Sequence, residues 1–192
     1  KDFYTLTPSA DIRIPKMHVA ESPAFRFRQT FSYSNNDNTY RDWMRLHDHS
    51  EVFANDMWVH TFDRLLPSSV YGKAHPEYYS FISGERRPGN HSQWCLSNPE
   101  IFEIVANRID SIFKANPGRN TISVSQNDGN DTYCQCPECK KVNEYEGSPA
   151  GCYIRFLNRL AERFPDKQIS TLADLFTMHP PKHVKPLPNV NI

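Results

Sequence analysis

The densest chemistry in the sequence is Cys134-Gln-Cys136-Pro-Glu-Cys139. Thiols at this spacing can hold zinc or iron, or pair as a disulfide. A structural zinc site takes four ligands, so three thiols need a fourth, expected from Cys152, Asp131 or a distant His. The chain has five cysteines, the remaining one being Cys95. An odd number leaves at least one outside any intrachain disulfide. Two readings of Cys134, Cys136 and Cys139 therefore stand side by side: a zinc site, or a disulfide within a packed turn. No other cofactor is required.

A second set of reactive types follows short apolar stretches. Asn35 and Asn36 follow AFRFRQTFSY, and His60 and Phe62 close WVHTF. Gln126, Asn127 and Asp128 follow TISVS, while Asp174 and then His179 end QISTLADLF. Amides and carboxylates grip sugar hydroxyls, and aromatic faces stack on sugar C–H surfaces. Hydrolysis of a glycosidic bond needs a pair of carboxylates across it. Asp128 is the expected proton donor and Asp174 the expected second carboxylate, with Glu144 and Glu146 as further candidates. Asn35, Asn36, His60, Phe62, Gln126, Asn127 and His179 are the expected substrate-binding residues.

The elements that must position these groups alternate in type. Strands are expected at Ala24 to Tyr33, Trp58 to Phe62, Trp94 to Ser97, Thr121 to Ser125 and Gln168 to Phe176, with one more starting near Asn189. A helix is expected from Asn38-Thr39, using Tyr40, Trp43, Met44 and Leu46, and a helical turn at His75 to Tyr79. Ser97-Asn98-Pro99-Glu100 is a strong helix start: a capping side chain, Pro in the first turn, then an acid. That helix runs through Ile101, Ile104, Val105, Ile109, Ile112 and Phe113 to Asn116-Pro117-Gly118. Another spans about Ala150 to Phe164. The stretch carrying Cys134 to Cys139 reads as a loop. The β-then-α order implies a parallel sheet, and about five β/α units plus the start of a sixth read as part of a (β/α)8 TIM-type barrel. In such folds the functional residues follow the strand C-termini, which is where the second set lies. The expected organisation is a lead-in over 1–24 and a partial barrel over 25–192.

Composition narrows the partners. Among 192 residues, Lys+Arg and Asp+Glu are 22 each, a formal net charge of +0, which argues against a nucleic-acid binder. No apolar run approaches the roughly 18 residues of a membrane span. Neither a Gly-rich dinucleotide fingerprint nor a Walker pattern follows any strand.

The ordered motifs His60-Thr61-Phe62, His75-Pro76-Glu77-Tyr78-Tyr79, Trp94 to Glu100, Ser123 to Asp128, Cys134 to Cys139, Glu146-Gly147-Ser148-Pro149 and Pro165-Asp166-Lys167 together resemble the uncharacterised domain family 4838 of secreted bacterial proteins. That family looks related to family 67 α-glucuronidase-like (β/α)8 glycoside hydrolases. The resemblance implies a hydrolase of α-glucuronidase or hexosaminidase type acting on a complex, uronic-acid-containing glycan; the alternatives are a non-catalytic glycan-binding barrel and a module stabilised by metal at its cysteines. It further implies Asp128 as the acid at the end of the fourth strand, although the glucuronidase motif has Glu there. Other domains of the same full-length chain, and a secreted, periplasmic or cell-surface location, are also implied.

Overall fold

The structure, a computed structural model, describes residues 15–129 and 132–192. Residues 15–30 carry no helix or strand. Four short helices follow: α1 (Asn38–Met44), α2 (His49–Val52), α3 (Phe62–Leu65) and α4 (Ser68–Tyr71). A two-residue-per-strand antiparallel hairpin, β1 (Phe81–Ile82) and β2 (Glu85–Arg86), leads to the long helix α5 (Pro99–Ala115). Then come β3 (Thr121–Ser123), α6 (Pro137–Glu146), α7 (Ala150–Arg163), β4 (Gln168–Ser170) and β5 (Val190–Asn191). The sheet β3-β4-β5 is parallel, with Ile122 opposite Ile169 and Ile169 opposite Val190.

The expected barrel is not what the chain forms. The described residues hold five strands in two small sheets, neither of them closed. One β/α/β unit, β3 to β4 through α6 and α7, is present, whereas β4 reaches β5 without an α-helix. Three expected strands fail: Trp94 to Ser97 is reduced to a single antiparallel bridge from Trp94 to Tyr79 before the chain turns into α5, and two more fail for identifiable reasons. In Ala24 to Tyr33 the alternation is real, but Phe25 and Phe31 point to solvent and only Phe27 packs inward, against Phe53 and Trp58. The segment is tied by His47 N–H donating to the Arg28 carbonyl at 2.7 Å, with no ladder. The Trp58 to Phe62 stretch does run beside β3, since Ser123 N–H donates to Met57 O and Thr61 N–H to Ser125 O. Positive φ at Asn55, Asp56 and His60 breaks its pleat. QISTLADLF is a strand only to Ser170, and Leu175–Thr177 form a 3₁₀ turn capped by Asp174.

The core lies where the two long helices meet the sheet. Asn98 caps α5 by accepting from Glu100 N–H, and Pro99 begins it. Its buried face, Ile101, Phe102, Val105, Ile109, Ile112 and Phe113, packs with the apolar stripe of α7: Tyr153, Phe156, Leu157 and Leu160. Both helices lie where the sequence pattern puts them. By contrast, the Tyr40, Trp43, Met44, Leu46 set on and after α1 builds no core, because Trp43 and Met44 are exposed.

Helix α6 replaces the expected loop. Cys136 is its N-cap residue, Pro137 and Glu138 form its first turn, and Gly147 ends it at φ 69 with its N–H on the carbonyls of Asn143 and Glu144. At its C-terminus Glu146 is fully buried. Its Oε1 accepts from Arg155, while Oε2 accepts from the N–H groups of His183 and Val184 at 2.8 and 3.0 Å. This carboxylate fastens the chain after α7 to the α6–α7 corner, so Glu146 is a structural group and drops out as a catalytic candidate.

Burial alone would push the Glu146 pKa up, but Arg155 and the two backbone N–H groups hold it below the ordinary value of 4.5. A depressed carboxylate stabilises the fold above its unfolded pKa, and that contribution is lost as pH falls through the folded value. Glu146→Ala should lower stability by about 3 kcal/mol at neutral pH, because two buried N–H groups lose their acceptor. Urea unfolding should show the gap between wild type and variant narrowing between about pH 5 and pH 3; a gap independent of pH would rule the charge out.

Candidate functional site

Four of the five cysteines converge. The Sγ atoms of Cys95, Cys134, Cys136 and Cys139 all lie within 4.8 Å of one another, and all four residues are buried. Each is delivered by a defined piece of backbone. Cys95 follows the bridge between Tyr79 and Trp94, and its N–H donates to Tyr78 O at 2.8 Å. Cys134 is drawn in beside the hairpin, where Gln135 N–H donates to Phe81 O. Cys136 and Cys139 occupy the N-cap and first turn of α6.

Polar groups surround the sulfurs as they would surround thiolates. Phe81 N–H donates to Cys134 Sγ at 3.3 Å, and the Arg86 guanidinium stands 3.7 Å from the same atom. Ser97 Oγ is within 3.5 Å of Cys95, Cys136 and Cys139. Hydrogen bonds from the Cys134 and Cys139 thiols hold Cys95 far below the ordinary thiol range. Cys134 is pushed far above it by its hydrogen bonds to Cys139 and Cys95 and by burial. One thiolate is thus stabilised by protonated neighbours, and a cation would be needed for the others to ionise.

This arrangement can bind a metal ion. None of the five cysteines is in a disulfide, and the Cys95 and Cys136 sulfurs are 3.6 Å apart. A fourth ligand is expected from Cys152, Asp131 or a His; the residue that joins the three thiols in the structure is instead Cys95. Asp131 lies outside the described residues. Cys152 sits on α7 with its thiol toward the Cys139 carbonyl at 3.5 Å and is not one of the four. Spacing gave no sign of Cys95, which is far from the others in sequence. Its only signal is its place just before the α5 cap, where a buried thiol would be aimed at the start of a second helix.

The residues expected at the strand ends come together only in part. His60 Nδ1 is 2.8 Å from Gln126 O, and Gln126 Nε2 donates to Thr177 Oγ1 at 2.7 Å and toward the Leu172 and Asp174 carbonyls. Asn127 exchanges hydrogen bonds with Gln93 and donates from Nδ2 to Asp63 and to Ser92 O. Gln126 and Asn127 are buried; Asn127 is committed to these partners, whereas Gln126 spends its Nε2 and keeps Oε1 buried without one. Phe62 is stacked on Trp94 at 3.6 Å inside the core. Asp174 serves as a turn cap, Asp128 is exposed, and His179 is exposed with its carbonyl accepting from Ser148.

Asn35 and Asn36 lie elsewhere, on an open cleft of about 400 Å³ lined by Gln29, Thr30, Phe31, Ser32, Tyr33, Asn35, Asn36, His49 and Trp58. The Phe31 and Tyr33 rings are exposed, while Trp58 is stacked on His49 at 4.8 Å. Gln29 Oε1 is buried on this wall without a hydrogen-bond partner. The sequence pointed to the two asparagines. It did not point to Gln29, His49 or Trp58, which a turn of backbone brings alongside them.

Among comparisons with known proteins, one family model matches, described as Domain of unknown function (DUF4838), over residues 2–192. Searches of curated proteins and of solved structures return no match.

If the four converging thiols bind the ion, Cys95→Ser should lose metal as completely as Cys139→Ser. Cys152→Ser should keep about one ion per chain. Metal content after gel filtration measures this; full retention in Cys95→Ser would exclude it as a ligand.

Proposed function

The chain belongs to the family Domain of unknown function (DUF4838), and on that footing we propose that it is the glycan-recognising part of a secreted protein acting on polysaccharides, its fold pinned by zinc. The observation that carries the reading is the open cleft, where exposed aromatic rings stand beside amides and hydroxyls. Fully exposed Phe31 and Tyr33 are costly to leave in water and well suited to the C–H face of a sugar ring. Asn36 offers an exposed amide, donor and acceptor together, of the kind that reads vicinal hydroxyls, while Asn35 is buried behind it with Oδ1 accepting from Thr30 Oγ1 and Gln29 Nε2 lies against His49 Nδ1. An acceptor such as Gln29 Oε1, buried without a partner, is satisfied when a ligand hydroxyl donates to it.

Recognition is favoured over hydrolysis by the lining itself. A two-carboxylate mechanism needs acids roughly 5–10 Å apart across one bond. Among the described residues no Asp or Glu lines this cleft. The acid pair first expected, Asp128 and Asp174, belongs to the strand-end region, where Asp174 is occupied in capping.

Zinc is the ion we propose for these thiols, whose spacing suits a single tetrahedral ion. Four sulfurs around one ion at about 2.3 Å stand roughly 3.8 Å apart, close to the spacing found here, and thiolates select soft ions. Multi-iron clusters need their thiolates further apart. A bound zinc would hold Cys95, Cys134, Cys136 and Cys139 as thiolates and lock the starts of α5 and α6 to the hairpin.

Two measurements test these readings. The double variant Phe31→Ala, Tyr33→Ala should fold normally and weaken retention on an immobilised polysaccharide panel by about tenfold or more; unchanged retention would move recognition away from the cleft. Chelation should release about one zinc per chain and lower Tm, with zinc alone restoring it. A Tm indifferent to chelator and zinc would sink the structural role.

A further inference from the structure

Resting on the glycan reading, we infer that the cleft takes uncharged sugar units and rejects uronic acids. The lining holds three amides, hydroxyls from Thr30, Ser32 and Tyr33, and aromatic rings, with His49 the one titratable imidazole. No Lys or Arg is among these residues. A sugar carboxylate brought into such a cleft loses water and finds no guanidinium or ammonium to replace it, which is the costly case for a charge.

Arg28 and Arg41 are already committed, and the exposed Arg26 is not among the lining residues. Arg28 donates Nε and Nη2 to the Arg45 carbonyl at 3.0 and 2.8 Å and Nη1 to the Phe25 carbonyl at 2.6 Å. Arg41 donates to the Asn35 carbonyl at 2.5 Å and to Asn38, and stands 3.7 Å from Asp48. These contacts hold the Asn35 backbone from behind, so Arg41 shapes the cleft without offering its charge to a ligand. His49 is paired through Nε2 with Asp56 at 3.0 Å, and Asp48 lies 4.0 Å from its Nδ1. Two carboxylates thus stand behind the one imidazole, and Asp48 is shared with Arg41, so neither cation is left free to answer a sugar carboxylate.

The resulting specificity runs against the uronic-acid-containing substrate that the family resemblance implies. A carboxylate reader places a bidentate Arg where the acid will sit. Here the positions facing a ligand carry amides and hydroxyls, which bind the 2-, 3-, 4- and 6-hydroxyls of a neutral hexose and gain nothing from a 6-carboxylate.

The test is titration calorimetry of the whole chain against neutral oligosaccharides (cello-, manno- and laminari-hexaose) and acidic ones (oligogalacturonate and glucuronic-acid-substituted xylan fragments). At least tenfold tighter binding of one or more neutral ligands is expected. The variant Asn36→Arg, at an exposed lining position, should shift the preference toward the acidic set by at least tenfold with the neutral affinity falling. Tighter binding of the acidic set by the unmodified chain would overturn this specificity and leave glycan recognition standing. Neutral binding that Asn36→Arg leaves unaltered would place the site outside the cleft and overturn the inference. Binding of neither set would bring down the recognition reading itself.

Discussion

Four thiol groups held within 4.8 Å of one another and away from water cannot all ionise unless a cation joins them. That constraint organises half of the molecule. The sulfurs come from three places: the residue leading into α5, the loop beside the hairpin and the first turn of α6. A hairpin of two residues per strand is too short to persist alone. It persists here because Phe81 and Arg86 are both engaged with Cys134. With a divalent ion bound, four thiolates leave a net charge of −2, and the Arg86 guanidinium and Phe81 N–H are placed to offset it. The metal-binding knot and its counter-charge are parts of one device, and removing either loosens the other.

Regular structure was legible in the sequence wherever burial followed one simple period. The caps and apolar stripes of α5 and α7 marked both helices, and the isoleucines of β3 and β4 marked the two strands that face each other. Helix α6 was hidden because only Cys139 and Glu146 are buried along it, so it has no apolar stripe. Its Pro137 start and Gly147 stop were present, but they read as loop punctuation beside a row of cysteines. The barrel expectation failed differently. Alternation in Ala24 to Tyr33 is a statement about side chains, whereas a strand also needs a partner backbone, and none of the described segments supplies one there.

The strand-end residues teach the same lesson about sites. His60 meets Gln126 beyond the end of β3, and Asn127 follows it in the chain. Being polar in that place was not evidence of a ligand. Where β3 ends inside the core, its backbone continues buried, and buried peptide groups require partners. Gln93, Asn127, Gln126 and Thr177 meet that requirement with their side chains. A polar residue after a strand can serve a substrate only if the fold has left its hydrogen-bonding capacity unspent.

The open cleft is the more accessible place for a ligand. Its aromatic rings and the Asn36 amide are exposed, whereas the strand-end amides Gln126 and Asn127 are buried, and an unpartnered acceptor exists in both places, Gln29 Oε1 here and Gln126 Oε1 there. Its segment has little regular structure and is held by side chains reaching back to carbonyls: Arg28 to Phe25 and Arg45, and Arg41 to Asn35. Such bonds fix the backbone and leave the Asn36 amide exposed. They also turn the Arg28 and Arg41 guanidiniums onto backbone carbonyls, which couples the rigidity of the segment to the selectivity proposed for it. The arginines that set the cleft's shape are the groups that would otherwise have greeted an acidic sugar, and a neutral wall is the consequence of how the segment is held.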